Sequence, residues 1–504
     1  MTDQPLTFGT AGLRGPMRPG PGGMNVETVT AATWALAKVL KDRHLAGSTV
    51  VVGRDARHNS DDFALATAEV LAAEGFSVIL LPDPAPTPVV AFTVRRHGTA
   101  AGVQITASHN PPADNGYKVY LDGGMQIIPP TDREIEAAMA TAPADVARTE
   151  VAPAGTEYIE DYVRRAAGVR RGSDGVRIAL TPMHGVGGEP ALRALREAGF
   201  TDVHTVAEQY SPDPDFPTVA FPNPEEAGAT DLLLALAAEV EADIAIALDP
   251  DADRCAVGIP TNAGWRMLSG DETGWLLGEY VLSQTEPGEV MASSVVASTV
   301  VSSRMLAAIA AGHGAQHVET LTGFKWLARA DAGLPGTTLV YAYEEAIGHC
   351  VDPAAVRDKD GISAAVLACD LVSVLRDDGR TPSDALDALA LRHGVHMTSA
   401  VSVPADAALV DRLRASPPVR LGDEPVDVTD LFERPGPQRT DALIYEGESV
   451  RVAIRPSGTE PKVKAYLEIR LPARDDLAAA RTEAARRLER LRVDVVGLLQ
   501  RGPN

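Results

Sequence analysis

Three times in this 504-residue chain a short apolar run stops at a loop crowded with polar chemistry. Ala100 to Ile105 runs into Thr106-Ala107-Ser108-His109-Asn110-Pro111-Pro112. Ile244 to Leu248 runs into Asp249-Pro250-Asp251-Ala252-Asp253-Arg254. Leu339 to Tyr343 runs into Glu344-Glu345-Ala346-Ile347-Gly348-His349. Runs this short have the length of buried strands, not of helices. Segments of helical character lie between them, at Val26 to Leu40, from about Ser60, at Pro86 to Arg95, Pro190 to Ala198, about Ala229 to Val240 and Ser302 to Ala311. Strands alternating with helices build layered α/β sheets, and such sheets place their chemistry on the loops that leave strand ends. No short fixed period recurs, so the pattern is one of large divergent repeats and not a solenoid.

The expected organisation is four domains: three related α/β domains with mixed sheets, then a smaller α+β domain. Residues 1–165 carry the serine loop, 166–287 the aspartate loop, 288–392 the glutamate loop, and 393–504 a domain of different kind. A chain of this length suggests roughly three or four domains. Further strands are expected at Val50 to Gly53, Val78 to Leu81, Val176 to Leu180 and Val290 to Ala297, and Thr322-Gly323-Phe324-Lys325-Trp326 should open a helix. In the last domain strands are expected at Val426 to Leu431, Ser449 to Ile454 and Val463 to Ile469, followed by an amphipathic helix from about Asp476 to Leu499.

The residue types on the loops narrow the chemistry. A serine hydroxyl stiffened by two following prolines, with His109 beside it and Lys118 after a polar turn through Asp114, Asn115 and Gly116, suits a covalent carrier of an acyl or phosphoryl group. Three aspartates at alternate positions repel one another unless a cation joins them, and an oxygen-only set suits a hard ion such as magnesium. An EF-hand needs Gly and Glu where this loop has Arg254 and Pro260, which excludes it. An aspartyl-phosphate hydrolase using Asp249 as nucleophile stays open at this level. Glu344 and Glu345 could grip hydroxyl groups. Arg455-Pro456-Ser457-Gly458-Thr459-Glu460-Pro461-Lys462 combines a guanidinium fork, two hydroxyls and an open glycine amide, a compact oxyanion site. Arg14, in the Gly-rich stretch Phe8 to Gly15, offers another fork, and Lys325 could meet an anion. Arg54 and Arg57 fit better as loop-holding partners of acidic residues, and His184 as a hydrogen-bonding loop residue.

With 46 basic and 69 acidic residues the net charge is −23, which disfavours nucleic acid and anionic membranes as partners. Cationic groups for a phosphate substrate must therefore be gathered locally. Three cysteines without CxxC spacing, the lack of an apolar leader in the first residues, and the lack of any run near the ~20 apolar residues of a membrane span point to a cytoplasmic protein.

Taken together and in this order, the serine, aspartate, glutamate and Arg455 to Glu460 motifs resemble those of the α-D-phosphohexomutase superfamily, the phosphoglucomutases and phosphomannomutases, over essentially the whole chain. The resemblance implies four domains around a central cleft and a phosphosugar mutase, an intramolecular phosphotransferase. Its implied chemistry interconverts hexose 1-phosphate and hexose 6-phosphate through a phosphoserine and a hexose 1,6-bisphosphate. Ser108 corresponds to the phosphoryl carrier, and Asp249, Asp251 and Asp253, with a phosphoserine oxygen, to the Mg2+ ligands. Glu344 or Glu345 corresponds to the hydroxyl-reading carboxylate, and Arg455, Ser457, Gly458 and Thr459 to the clamp on the distal phosphate. Arg14 and Lys118 match positions near the attacked hydroxyl, with Lys118 the first and His109 the second candidate for proton transfer. Arg254, Lys325 and Lys462 join the substrate-binding set. The resemblance also implies a last domain that opens as a lid, small sugar phosphates as the only partners, and a monomer or homodimer. Many relatives have Glu-x-Ser where this chain has Glu344-Glu345-Ala346. That departure points to the branch containing phosphopentomutase-like phosphoglucomutases and some bacterial phosphomannomutases. It keeps a phosphopentomutase, acting between carbons 1 and 5, and a glucose-1,6-bisphosphate synthase as alternatives. A magnesium-dependent phosphatase and a non-catalytic sugar-phosphate binder are the readings from other classes.

Overall fold

The strand Ala101–Ile105 is buried at every residue; its one polar side chain, Gln104, donates to the Ala85 carbonyl at 2.9 Å. It lies mid-sheet, parallel to Thr49–Arg54 and antiparallel to Asp114–Leu121. The sheet runs Phe8–Gly9, Gly12–Pro16, Asp114–Leu121, Ala101–Ile105, Thr49–Arg54, Ser77–Leu80, with Met125–Gln126 added on Asp114–Leu121. The helices Val26–Asp42, Ser60–Ala73 and Thr87–His97 accompany it. The computed structural model describes residues 5–9, 12–121, 123–172, 175–404, 408–436, 439–457, 462–473 and 476–501.

Two compact units contain these elements. The first comprises Met1–Thr273, Gly323–Arg329 and Val340–Gly379. Besides the sheet above it holds a second, ordered Gly264–Met267, Cys255–Thr261, Ile244–Leu248, Ile178–Thr181, Val203–Thr205. Ile244–Leu248 is parallel to Ile178–Thr181 and antiparallel to Cys255–Thr261, so this sheet is mixed too. A hairpin pairs Glu344 with Gly348, and the apolar helix Gly361–Asp377 follows. That helix starts at Asp360, whose carboxylate accepts from the backbone N–H groups of Ile362 and Ser363 and from the Tyr162 hydroxyl.

The second unit comprises Gly274–Thr322, Ala330–Leu339 and Arg380–Asn504. Ser294–Thr299 and Gln316–Thr320 pair in parallel. An antiparallel sheet runs Val395–Pro404, Lys462–Leu471, Val450–Pro456, Leu443–Glu446, Asp427–Asp430. Ala484, Leu488, Leu491, Val495 and Leu499, at three- and four-residue spacing on the C-terminal helix, share its core.

Several expectations need correction. The stretch from Val290 is not one strand: Glu289–Ser293 is helical and the strand is Ser294–Thr299. Asp114, Asn115 and Gly116 are no turn but the start of a strand, because their backbones pair with Pro16, Gly15 and Arg14. The helix expected at Thr322 is only Phe324–Leu327. Cys255–Thr261 and Gly264–Met267 are further strands of the second sheet: the first is largely apolar and lies inside it but directly follows the aspartate loop, and only the second is an edge strand of mixed exposure.

Candidate active site

The loops of the first unit put Ser108 and the aspartate triplet in contact. The Ser108 hydroxyl donates to Asp249 Oδ2 at 2.8 Å and lies 3.1 Å from His109 Nδ1. Ser108 is 2% exposed. Its φ is 53°, in the left-handed region that a residue with a Cβ avoids, and Ala252 and Ile347 of the other two loops share it at 53° and 52°. The turn at Ser108 is held on one side by its own N–H, donating to Thr106 Oγ1 at 2.8 Å. On the other side stands Arg57, whose guanidinium donates to the carbonyls of Ser108 and Asn110 at 2.6 Å, Pro111 at 2.8 Å and Asp114 at 3.2 Å. Arg57 also pairs with Asp55 at 3.3 Å, and Arg54 pairs with Asp61, so both arginines are loop-holding residues.

Asp249, Asp251 and Asp253 are buried, with one oxygen of each within 4.8 Å of the others. Asp251 Oδ1 and Asp253 Oδ1 are buried and have no hydrogen-bond partner among the described residues. Buried carboxylate lone pairs left open in this way fit a hard divalent cation. The Lys118 ammonium sits between Asp251 Oδ2 and Asp253 Oδ2, at 2.6 and 2.7 Å. Burial, then the charges of Asp251 and Asp253, push the Asp249 carboxyl well above the usual carboxylate range. Burial opposes the charge of Asp251 as well, but Lys118 and the Thr87 hydroxyl prevail and hold it below that range. Arg14 is lowered by burial and drawn back up by Asp251 and Asp253, which places it in the field of the triplet. Burial, then Arg254 and Arg14, hold His109 well below the ordinary imidazole value, so it is neutral.

The glutamate loop borders this cluster. Arg254 approaches Glu344 at 3.8 Å and Asp253 at 3.9 Å, and its backbone bridges Gly348. Glu344 is buried, and burial raises its carboxyl against Lys359 and Arg254. Glu345 is half-buried. Its carbonyl oxygen would stand 1.9 Å from a Cβ on Gly270, so only glycine lets that helix start meet the loop. Lys325, half-buried, responds to burial and then to Asp132 and Arg329, not to the triplet.

Three residues reach the cluster without having been assigned to it. Thr87 donates to Asp251 from the start of its helix. Lys359 Nζ lies 3.5 Å from Asp253 and 3.6 Å from Asp358. Gly270 packs against the glutamate loop. Only Lys359 left a trace in the sequence, as a charged Asp-Lys-Asp-Gly run ahead of an apolar helix.

The second unit carries Arg455, Ser457 and Lys462. Arg455 Nη2 donates to the Tyr466 hydroxyl at 3.3 Å, and its Nε is buried without a hydrogen-bond partner among the described residues. Ser457 N–H donates to the Lys462 carbonyl at 2.8 Å, closing the two strands around the loop. Gly458 and Thr459 lie outside the described residues.

A buried serine hydroxyl against an oxygen-only carboxylate cluster able to hold a metal ion, with Arg14, Lys118, Arg254 and Lys359 around it, fits a phosphoryl-transfer enzyme. The models of the phosphoglucomutase/phosphomannomutase domains match in order: α/β/α domain I at residues 5–145, α/β/α domain II at 156–262, α/β/α domain III at 269–392 and the C-terminal domain at 405–488. The chain is 40% identical over 465 residues to a probable phosphomannomutase of Haemophilus influenzae, covering 89% of this chain and 93% of that one. It is 35% identical to the phosphopentomutase of Mus musculus, covering 93% and 84%, and 31% identical to a phosphoglucomutase of Staphylococcus aureus, covering 94% and 91%. Its fold resembles the crystal structure of a putative phosphomannomutase from Thermus thermophilus, with a TM-score of 0.74 at 25% identity over 97% of this chain and all of that one. The chain belongs to the phosphoglucomutase/phosphomannomutase family, with its four-domain α/β architecture, and is a phosphosugar mutase, an isomerase that acts by phosphoryl transfer. Among the described residues no helix is long and apolar enough to cross a membrane.

Proposed function

We propose that the enzyme moves a phosphoryl group between carbon 1 and carbon 6 of glucose or mannose phosphate, through phosphorylated Ser108 and a hexose 1,6-bisphosphate. The observation that carries this reading is Ser108 Oγ at 2.8 Å from Asp249, inside the aspartate triplet. Asp249, Asp251 and Asp253 would hold Mg2+ together with an oxygen on Ser108. That ion, when bound, neutralises charge on the phosphoryl oxygens.

The protein's own groups account for the rest. A sugar hydroxyl oxygen bonds to phosphorus while the P–O bond to Ser108 Oγ breaks. The hydroxyl proton passes to His109 Nδ1, neutral and 3.1 Å from Oγ, and from there to the departing serine oxygen. Lys118, held between two carboxylates at 2.6 and 2.7 Å, acts as fixed positive charge and not as the base. Arg14 and Arg254 add positive charge where two phosphates meet, each carrying roughly −1.5 to −2. Glu344 and Glu345 read sugar hydroxyls, and Arg455, Ser457, Gly458, Thr459, Lys462 and Lys325 bind the phosphate that does not react. The bisphosphate then turns over and returns its other phosphate to Ser108.

A second reading, transfer between carbons 1 and 5 of ribose or deoxyribose, is favoured by Ala346 in the sugar loop and by the similarity to the mouse phosphopentomutase. Coupled assays with glucose 1-phosphate, mannose 1-phosphate and ribose 1-phosphate, each primed with a trace of the matching bisphosphate, separate the two. Hexose 6-phosphate is expected to form fastest, and Ser108→Ala to remove nearly all turnover in a folded protein. Faster ribose conversion selects the second reading. Release of free phosphate alone, or retained activity in Ser108→Ala, overturns the mutase mechanism.

A further inference from the structure

The first unit contains a groove of about 850 Å3 lined by none of the residues assigned to the active site. The helices Thr87–His97 and Glu157–Ala167 both end at it, contributing Arg95, Arg96, Arg164 and Arg165. A chain of net charge −23 has here gathered four guanidiniums at one concavity. Structural duties absorb only part of that charge. The two helix C-termini, about half a negative charge each, account for one guanidinium. Asp352 pairs with Arg165 at 2.6 Å and Asp161 with Arg164 at 2.8 Å. Arg96 is exposed and has no ion pair or hydrogen bond among the described residues, and the Arg164 side chain is 68% exposed and so able to turn toward a ligand. Gly123, Gly168, Ala354 and Ala355 keep the remaining walls low.

Guanidinium forks select phosphate, and a cleft of this volume takes a molecule larger than one phosphate ion. Three elements join the groove to the active site. The helix carrying Arg95 and Arg96 begins, roughly 12–14 Å away at 1.5 Å per residue, at Thr87, which donates to Asp251 through its hydroxyl and its N–H. The segment holding Ala354 and Ala355 continues to Asp358, bonded to Tyr120 and Gln126, and to Lys359 beside Asp253. The helix carrying Arg164 and Arg165 places Tyr162 on Asp360 at 2.6 Å.

We propose that this groove is an effector site for a small molecule bearing adjacent phosphate groups, a nucleoside triphosphate or inorganic polyphosphate, whose binding alters mutase turnover through these three elements. Turnover here is that of the proposed mutase reaction, but calorimetry tests the binding independently of it. Tripolyphosphate and ATP are titrated into the full-length protein and into Arg96→Ser/Arg164→Ser, with and without saturating glucose 1-phosphate, and mutase rates are measured alongside. The double variant should bind tripolyphosphate at least tenfold more weakly yet keep its rates in the absence of the anion. Bound tripolyphosphate should change wild-type kcat or KM at least twofold without being displaced by glucose 1-phosphate. ATP binding more tightly than tripolyphosphate would identify the nucleotide as the source, and the reverse would identify polyphosphate. Equal affinity in both proteins, displacement by glucose 1-phosphate, or binding without any change in rate overturns the proposal. Should the double variant not fold, Arg96→Ser alone, at an exposed position, serves the same comparison with a threefold loss expected.

Discussion

Replacing Arg57 should disable the enzyme without touching its substrate. This guanidinium is the strut of the serine loop: four backbone carbonyls accept from it, at 2.6, 2.6, 2.8 and 3.2 Å, and Asp55 balances its charge at 3.3 Å. Its side chain and that of Asp55 are each 1% exposed. Arg57→Met keeps most of the stem but leaves a buried carboxylate without its cation, which costs about 3–5 kcal/mol of stability. Arg57→Lys retains the charge, but one ammonium cannot serve carbonyls spread from Ser108 to Asp114. Losing one or two charge-assisted bonds costs about 1.5–3 kcal/mol each, with incomplete additivity. Because these bonds fix Ser108 at φ 53° against its intrinsic preference, loosening them lets the residue relax. Arg57→Lys should therefore lower kcat at least tenfold while KM stays within about threefold. Asp55→Asn/Arg57→Met should recover part of the stability lost in Arg57→Met, since no unpaired charge remains. Denaturant unfolding and steady-state kinetics on the four proteins check both claims. An Arg57→Lys enzyme with wild-type kcat and unchanged unfolding midpoint would refute the reasoning.

Chelation should abolish turnover and Mg2+ restore it, with Asp251→Asn requiring a higher Mg2+ concentration; activity that survives exhaustive chelation contradicts the metal reading. Gly270→Ala forces a Cβ to within 1.9 Å of the Glu345 carbonyl, so the glutamate loop must shift; at about 1–3 kcal/mol of overpacking, kcat/KM should fall roughly tenfold, and an unaltered value would show the loop to be irrelevant. Glu468 accepts from Ser303 Oγ, Arg304 N–H and Nε, and His396 Nδ1 at 2.7–3.0 Å. Burial opposes its charge, yet His396 and Arg304 hold it well below the ordinary glutamate range. A folded value below the unfolded one means that the stabilisation is present above about pH 4.3 and is lost as pH falls further. Glu468→Gln should thus be less stable than wild type by about 3–5 kcal/mol near neutrality, with the gap narrowing below pH 4; a gap independent of pH would exclude the ion-pair account.

Consecutive residues were enough to mark the candidate chemistry-bearing loops and the strands that present them. Ile244 to Leu248 reads as a buried strand because every residue is apolar, and Ala101 to Ile105 because all but Gln104 are apolar or small; the serine and aspartates stand at their ends in plain view. The expectation of a hard ion rests on three carboxylates at alternate positions, a local repulsion visible without any fold. What the sequence could not convey was which groups meet across distance. Thr87 and Asp251 are 164 positions apart, and Lys118 and Asp253 are 135 apart. Side-chain type reveals a capacity to pair but not the partner. Lys118 is a candidate for proton transfer through the family resemblance alone; only packing shows that its ammonium lies between two carboxylates, at 2.6 and 2.7 Å. Gly270 left no signal, since its role lies in the 1.9 Å approach of another backbone. Local propensity and apolar pattern are written in consecutive residues, whereas desolvation, ion pairing and steric fit are properties of surfaces that exist only once the chain has folded.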